Sequence, residues 1–183
     1  MLIALQKQKE NIAEYLLYMF QIEEIIRTFK MDLDKIMTNF VEPSIPNVSY
    51  TNQYREWYAD LIKQMKVRGL EKEGHTETVN EVILELIYLH NTLLTVVNDE
   101  KYKTLVDHAA EYLNEFKGKA NMTQRNDIEV LLHAMYMKLQ LKIRKQEISA
   151  ETEEAMDKLR IQLAYLAREY SRMKSGDWKI GQN

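Results

Sequence analysis

The segment IAEYLLYMFQIEEIIRTFKMDLDKIMTNF, residues 12–40, decides the fold class of this chain. Its large apolar side chains recur at alternating steps of three and four residues, the a/d spacing of a heptad repeat. The positions that follow this spacing without interruption are Ile12, Tyr15, Met19, Ile22, Ile26, Phe29, Leu33, Ile36 and Phe40. Side chains so spaced form one stripe along a helix, and other helices must bury such a stripe. The segment therefore predicts a protein built of packed helices.

This first helical region ends at a proline connector and contains one candidate break. Pro43 and Pro46 lie in VEPSIPNVS, residues 41–49, where proline prevents a helix from continuing. The unbroken heptad phase favours a continuous helix up to that point. Asp32, a typical N-cap residue, favours a break near Lys30–Met31, and we predict the break.

Five further helices are predicted downstream, each between recognisable start and stop signals. They cover about 51–68, a segment opened by His75 or Thr76, a segment capped by Asp99, about 122–147 after Asn121, and about 150–174 after Ser149. No stretch alternates at period two for long enough to form a strand. Short connectors make neighbouring helices antiparallel. We predict an all-α antiparallel bundle of five to seven helices without a sheet, with residues 1–174 as one domain and 175–183 as a flexible tail.

Composition narrows the classes of protein to which the chain can belong. It has a formal net charge of −3 and no cysteine, which excludes disulfides, thiolate zinc sites and a cysteine nucleophile. The opening residues MLIALQKQKE lack the apolar run of a secretory signal, and no later stretch matches a membrane span. We therefore expect a cytoplasmic protein without membrane association.

The segment KENIAEYLLYMFQIEEIIR, residues 9–27, resembles the N-terminal signature of a family of uncharacterised proteins of about this length from Bacteroidetes. Length and helical pattern agree along the whole chain, whereas the recognisable sequence is confined to this one helix. The resemblance implies an all-helical, cytoplasmic protein. It implies no activity and no site residues.

Histidine and carboxylate spacing gives one candidate for ligand or metal binding. The Glu-x-x-His motif of di-metal bundles and the His-x-x-x-His spacing of zinc helices are both absent. Glu129 and His133 stand four residues apart and can share a proton or a metal, although this spacing is common by chance. His90 flanks the apolar stripe of its helix, where a hydrogen-bonded core histidine is the simpler interpretation. A ligand- or metal-binding bundle that uses His90 or Glu129 and His133 is one alternative.

Two surface patterns are candidates for contacts with partners. Tyr50, Tyr54, Trp57 and Tyr58 form an aromatic stripe, which is typical of a core or a subunit interface. Stacking of this stripe on nucleobases is a weaker alternative. The basic run KLQLKIRK, Lys138–Lys145, is a candidate for nucleic-acid binding, but a sequence pI of about 5.9 argues against that role. We expect its lysines to pair with acids of the third and fourth predicted helices.

No phosphate loop or nucleophile motif occurs, so we predict no catalytic residue and no cofactor. The helix predicted at 122–147 is apolar on two nearly opposite sides, with Ile128 and Leu132 on one and Val130 and Met137 on the other. Such a helix is central in a bundle or is covered by a second subunit. We predict a homodimer with a protein–protein interaction or scaffold role. A nucleic-acid-associated regulator acting through Lys138–Lys145 is the second alternative.

Overall fold

The computed structural model describes residues 1–177, and it is an all-α bundle, as predicted. Those residues contain no strand. The helices are α1 (Leu2–Glu10), α2 (Ile12–Thr28), α3 (Leu33–Ile36), α4 (Thr51–Val67), α5 (Glu77–Thr95), α6 (Glu100–Lys119), α7 (Asp127–Ile143) and α8 (Ala150–Ser175). A π-helical turn, Met37–Val41, extends α3, and a 3₁₀ turn, Val48–Tyr50, precedes α4. Residues 178–183 of the predicted tail lie outside the described residues.

The first helical region consists of three α-helices, one more than the predicted break gives. Lys30 and Met31 have left-handed backbones, with φ of 52° and 58°, and the Asp32 side chain caps α3, which confirms the predicted break. A second break at Asn11 was not predicted. Its backbone is extended, and its side chain accepts hydrogen bonds from the N–H groups of Ala13 and Glu14. Within residues 1–177, this extra break raises the number of α-helices to eight, above the predicted five to seven.

Most of the other helix starts agree with the predicted caps. Asp99 caps α6 and Ser149 caps α8. The start of α7 was predicted wrongly, because Asn121 has a left-handed backbone and Asn126 is the cap. Asn126 forms a capping box with Glu129, and this reciprocal pair fixes the first turn of α7.

Helix α8 lies at the centre of the bundle and packs against α2, α5, α6 and α7. Its buried stripe comprises Met156, Leu159, Leu163, Leu166 and Tyr170. Helix α7 also packs against α2, α5 and α6, so both of its apolar sides are largely covered within one chain, although Met137 stays 40% exposed. Val130 and Leu132, from opposite sides, are each fully buried. The two-sided pattern of α7 thus follows from its central position and requires no second subunit.

Within residues 1–177, no helix is both long enough and apolar enough to span a membrane.

Candidate functional site

A groove of about 560 Å³ lies between α6, α7 and α8. Small-molecule sites commonly occupy about 300–1,000 Å³ and are lined mainly by apolar side chains. The large apolar lining residues are Tyr112, Phe116, Met137, Met156 and Leu159. The groove therefore has the size and the wall chemistry of a site for a small organic molecule.

The local sequence explains why these three helices leave a gap. Tyr112 and Phe116 are one turn apart on α6, and Met156 and Leu159 are close to one turn apart on α8, so each pair forms one wall. Ala155 also lines the groove, on α8 beside Met156, and its side chain is too small to fill the space. The apolar walls face each other without full contact, and the groove remains accessible.

His133 supplies a polar group within this apolar groove. It extends from α7, is half-buried, and its ring centroid lies 6.1 Å from that of Phe116. Burial lowers the pKa of His133, and the nearby His75 lowers it further, so the ring is neutral at pH 7. No hydrogen-bond partner within residues 1–177 occupies either ring nitrogen. A neutral imidazole offers one donor and one acceptor, both of which a ligand can use.

Charged side chains at the rim give the groove an acidic edge. The Lys119 ammonium pairs with the Glu115 carboxylate at 2.5 Å, and this hydrogen bond raises the pKa of Lys119. Glu151, in the first turn of α8, is a further lining residue and raises the pKa of Lys119 in the same direction. Two carboxylates and one ammonium leave a net negative rim, which disfavours an anionic ligand.

The structure does not join Glu129 to His133 as a metal-ligand pair. Glu129 Oε2 accepts from the backbone N–H of Asn126, and Oε1 lies 3.4 Å from the Arg125 guanidinium. Among residues 1–177, no group of three His, Asp or Glu side chains converges as a metal site requires. His133 alone of this predicted pair faces the groove.

His90 is enclosed by the core and makes a specific contact there. Its Nδ1 lies 2.8 Å from the Tyr102 hydroxyl, and only 6% of the residue is exposed. Burial lowers the pKa of His90, and Asp127 partly opposes this effect. The residue joins α5 to α6 and does not reach the groove.

The predicted aromatic stripe on α4 faces the core along part of its length. Tyr54 and Tyr58 are buried, and the ring of Trp57 packs edge-on against Tyr58 with centroids 5.0 Å apart. Burial raises the pKa of Tyr58, and Tyr18 of α2 and Tyr54 raise it further. Tyr50 and Trp57 keep partial exposure, and Trp57 lines a second, smaller cavity.

Two lysines of the basic run Lys138–Lys145 form ion pairs with residues other than the predicted ones. The Lys138 ammonium pairs with Glu153 at 2.8 Å and with Asp157 at 3.2 Å. Both acids belong to α8, so the predicted pairing with the third and fourth helices was wrong for this lysine. Lys142 lies 3.8 Å from Glu153. These ion pairs link α7 to the next helix, α8.

A buried carboxylate on α2 was not predicted from the sequence. Glu23 is fully buried; its Oε1 accepts from the Thr76 backbone N–H at 2.8 Å, and its Oε2 lies 2.6 Å from His75 Nδ1. The His75 ring stacks on Phe20 at a centroid distance of 4.1 Å. The one signal in the sequence was an acid within an apolar segment, and its partners lie more than fifty residues away.

The chain belongs to the family described as Domain of unknown function (DUF4924), whose model matches residues 1–177. This confirms the predicted membership of a family without an assigned function, while the Bacteroidetes origin stays a prediction. No curated protein and no solved structure is similar enough to the chain to count as a match.

Proposed function

We propose that this member of a family without an assigned function is a ligand-binding helical bundle of the cytoplasm. The groove between α6, α7 and α8 binds a small, predominantly apolar molecule that is uncharged or cationic. The observation that supports this role is His133, a neutral side chain that has no hydrogen-bond partner within residues 1–177 and lies among the apolar walls of a groove of about 560 Å³. Apolar walls supply affinity, and one convergent polar group fixes the orientation of the ligand.

The apolar walls of the groove and the His133 imidazole contact different parts of the ligand. Tyr112 and Phe116 offer flat aromatic surface to the apolar body of the ligand. Met156 is flexible and polarisable, so it can adjust to the shape of that body. The His133 ring donates to, or accepts from, the polar group of the ligand.

A groove-filling variant tests this function directly. Nile red, an uncharged apolar dye, is titrated into the protein and its fluorescence is recorded. Ala155→Phe fills the space between the walls and is expected to weaken dye binding at least tenfold. Ala164→Phe, on an exposed position of the same helix, is the matched control and keeps the affinity of the unchanged protein. Equal binding by all three proteins would show that the dye site lies elsewhere.

We also propose that the protein forms a homodimer through the outer side of α5, as a second role. Leu84 and Tyr88, one turn apart, are 63% and 71% exposed. Large apolar side chains exposed together are typical of interaction surfaces. A self-association surface of this kind would give the protein–protein interaction or scaffold role predicted from its sequence.

The charges on this side of α5 are compatible with antiparallel pairing about a two-fold axis. In that arrangement Leu84 meets Tyr88 of the second copy, because a two-fold interface is self-complementary. Glu81 then lies opposite Asn91 of the second copy, and Glu77 lies opposite Thr95. No carboxylate is placed against another carboxylate.

Light scattering coupled to size-exclusion chromatography measures this association. We expect a mass twice the 21.8 kDa of one chain, and we expect Leu84→Glu with Tyr88→Glu to return the mass to one chain. The control Lys63→Glu, at an exposed position of α4, leaves the mass unchanged. A mass of one chain for the unchanged protein at high concentration removes this second role.

A further inference from the structure

A second cavity, of about 310 Å³, lies between α1, α2, α4 and the start of α5. It is separate from the α6/α7/α8 groove and shares no lining residue with it. Thr76, the N-cap residue of α5, lines this cavity and is 1% exposed. Its hydroxyl oxygen is buried and has no hydrogen-bond partner within residues 1–177.

The position of Thr76 makes this unpaired hydroxyl unusual. An N-cap threonine normally accepts a hydrogen bond from the first turn of its own helix, but the Thr76 side chain makes none. Its backbone N–H donates a hydrogen bond to Glu23, and this bond fixes the position of the residue. Buried polar groups are nearly always satisfied, so an unsatisfied one at a cavity wall indicates a missing partner.

Other polar groups of the lining also lack partners. Tyr15 and Trp57 line the cavity, and within residues 1–177 neither the Tyr15 hydroxyl nor the Trp57 indole N–H is hydrogen-bonded. Gln8 and Gln64 add side-chain amides to the same walls. The cavity thus combines aromatic surface with hydroxyl and amide groups, which is a lining suited to a ring that carries polar edges.

The charges around the cavity favour an uncharged occupant. Asp60 is part of the lining and accepts a hydrogen bond from Gln64 Nε2 at 2.8 Å, and Glu23 lies directly behind Thr76. Among residues 1–177, no lysine or arginine side chain lines the cavity. A phosphate or carboxylate would meet the Asp60 carboxylate, with no lysine or arginine in the described lining to offset the repulsion.

We propose that this cavity binds an uncharged planar heterocycle with amide-type ring edges, the chemistry of a nucleobase. The ring stacks on Trp57, and its edge exchanges hydrogen bonds with the Thr76 hydroxyl and the glutamine amides. A ring of this kind fits the cavity volume, and stacking on tryptophan accepts any such ring. The hydroxyl of Thr76 can donate or accept, so it pairs with either a ring carbonyl or a ring N–H.

Calorimetric titration with defined probes tests the binding. The probes are uracil, cytosine and adenine, their nucleosides, and the corresponding 5′-monophosphates. Trp178→Phe serves as the background, because Trp57 is then the only tryptophan and its fluorescence reports on the site. We expect saturable one-to-one binding of a base or nucleoside with quenching of Trp57, and at least tenfold weaker binding of its monophosphate. Absence of saturable binding by all probes, or tighter binding of the monophosphates, overturns the proposal.

Thr76→Val tests whether the Thr76 hydroxyl contributes to ligand affinity or to the stability of the fold. Valine matches the shape of threonine and removes only the hydroxyl, so we expect affinity to fall about fivefold, the effect of one lost hydrogen bond. The melting temperature of the free variant should be unchanged or higher, because an unsatisfied buried group is gone. Thr95→Val, at an exposed position of α5, is the matched control for affinity. Unchanged affinity in Thr76→Val, or a lower melting temperature, contradicts the assignment. Ala155→Phe, in the other groove, should leave this binding intact.

Discussion

Buried polar side chains of α2 hold the connection between α4 and α5 in place. The Arg27 side chain, 9% exposed, donates to the backbone carbonyls of Leu70 and Gly74. Glu23 accepts from the backbone of Thr76 at the end of the same connection. The connection from residue 68 to residue 76 lacks regular structure, so these side chains satisfy backbone groups that no helix satisfies.

Replacing Glu23 tests how much of the stability this arrangement provides. Glu23→Leu leaves the Thr76 N–H without an acceptor and His75 without its partner. Leaving a buried donor unpaired costs about 1–3 kcal/mol, so we expect a loss of about 2 kcal/mol. Urea denaturation followed by circular dichroism measures it.

Glu14→Leu is the matched control for that measurement. Glu14 is an exposed residue of the same helix, and its change should stay within about 0.5 kcal/mol. Equal losses in the two variants would show that the Glu23 contacts contribute nothing beyond helix propensity.

His90 in the core and His133 in the groove predict a dependence of stability on pH. Burial lowers the pKa of His90 and of His133 below the ordinary value of 6.5. As pH falls below 6.5, the unfolded chain therefore binds protons more readily than the folded chain, and the free energy of unfolding decreases. Denaturation at pH 8.0 and pH 5.5 should show this loss, and His133→Gln should reduce it.

The value at pH 8.0 serves as the internal reference for the substitution, because both histidines are neutral there in the folded and the unfolded states. A variant that is weaker by the same amount at both pH values would indicate a packing defect instead of a protonation effect.

Among the helices, local chemistry decided which boundaries could be predicted. Asp32, Asp99 and Ser149 were recognised as caps because an N-cap acts on its own first turn. Asn121 was chosen wrongly over Asn126. Both asparagines are followed three residues later by a possible capping-box partner, Gln124 after Asn121 and Glu129 after Asn126, so the sequence pattern does not separate them. The structure forms the box at Asn126.

The break between α2 and α3 carries a backbone conformation that glycine adopts more readily. Lys30 has φ of 52° and an exposed side chain. We expect Lys30→Gly to raise the free energy of unfolding by about 0.5–1 kcal/mol, since glycine has no Cβ to oppose this conformation. Thermal unfolding measures the gain.

Lys63→Gly, at an exposed position inside α4, is the control and should lower stability by about 1 kcal/mol. A loss in both variants would mean that the Lys30 side chain makes a contact that outweighs the relief of its backbone.

At the scale of the molecule, the sequence predicted the class of fold but not the site. Helical stripes are local patterns, so the all-α bundle follows from them. The groove is formed where Phe116, His133 and Met156 meet, and these residues are far apart in the sequence and share no motif. His133 was selected for its spacing from Glu129, a contact that the structure does not make. Packing of three helices, which no single helix encodes, creates the groove.

Helix α1 contributes little to the core of the bundle, but it forms part of the proposed heterocycle cavity. Ala4 is its one buried residue, whereas Leu2, Ile3 and Leu5 are 43–50% exposed. Asn11 caps α2 from outside α1, so deletion of residues 2–10 leaves that cap in place. We expect the shortened protein to unfold cooperatively in urea, with a loss of about 2 kcal/mol from newly exposed apolar side chains of α2.

The same deletion separates the two proposed binding sites. Ala4, Leu5 and Gln8 form one wall of the cavity beside Thr76, so binding of heterocycles should be lost. The groove around His133 has no residue from α1, so binding of Nile red should keep its affinity. Loss of both activities together with loss of the helical circular dichroism signal would show that α1 is required for the fold. Retention of heterocycle binding by a folded, shortened protein would place that site away from this cavity.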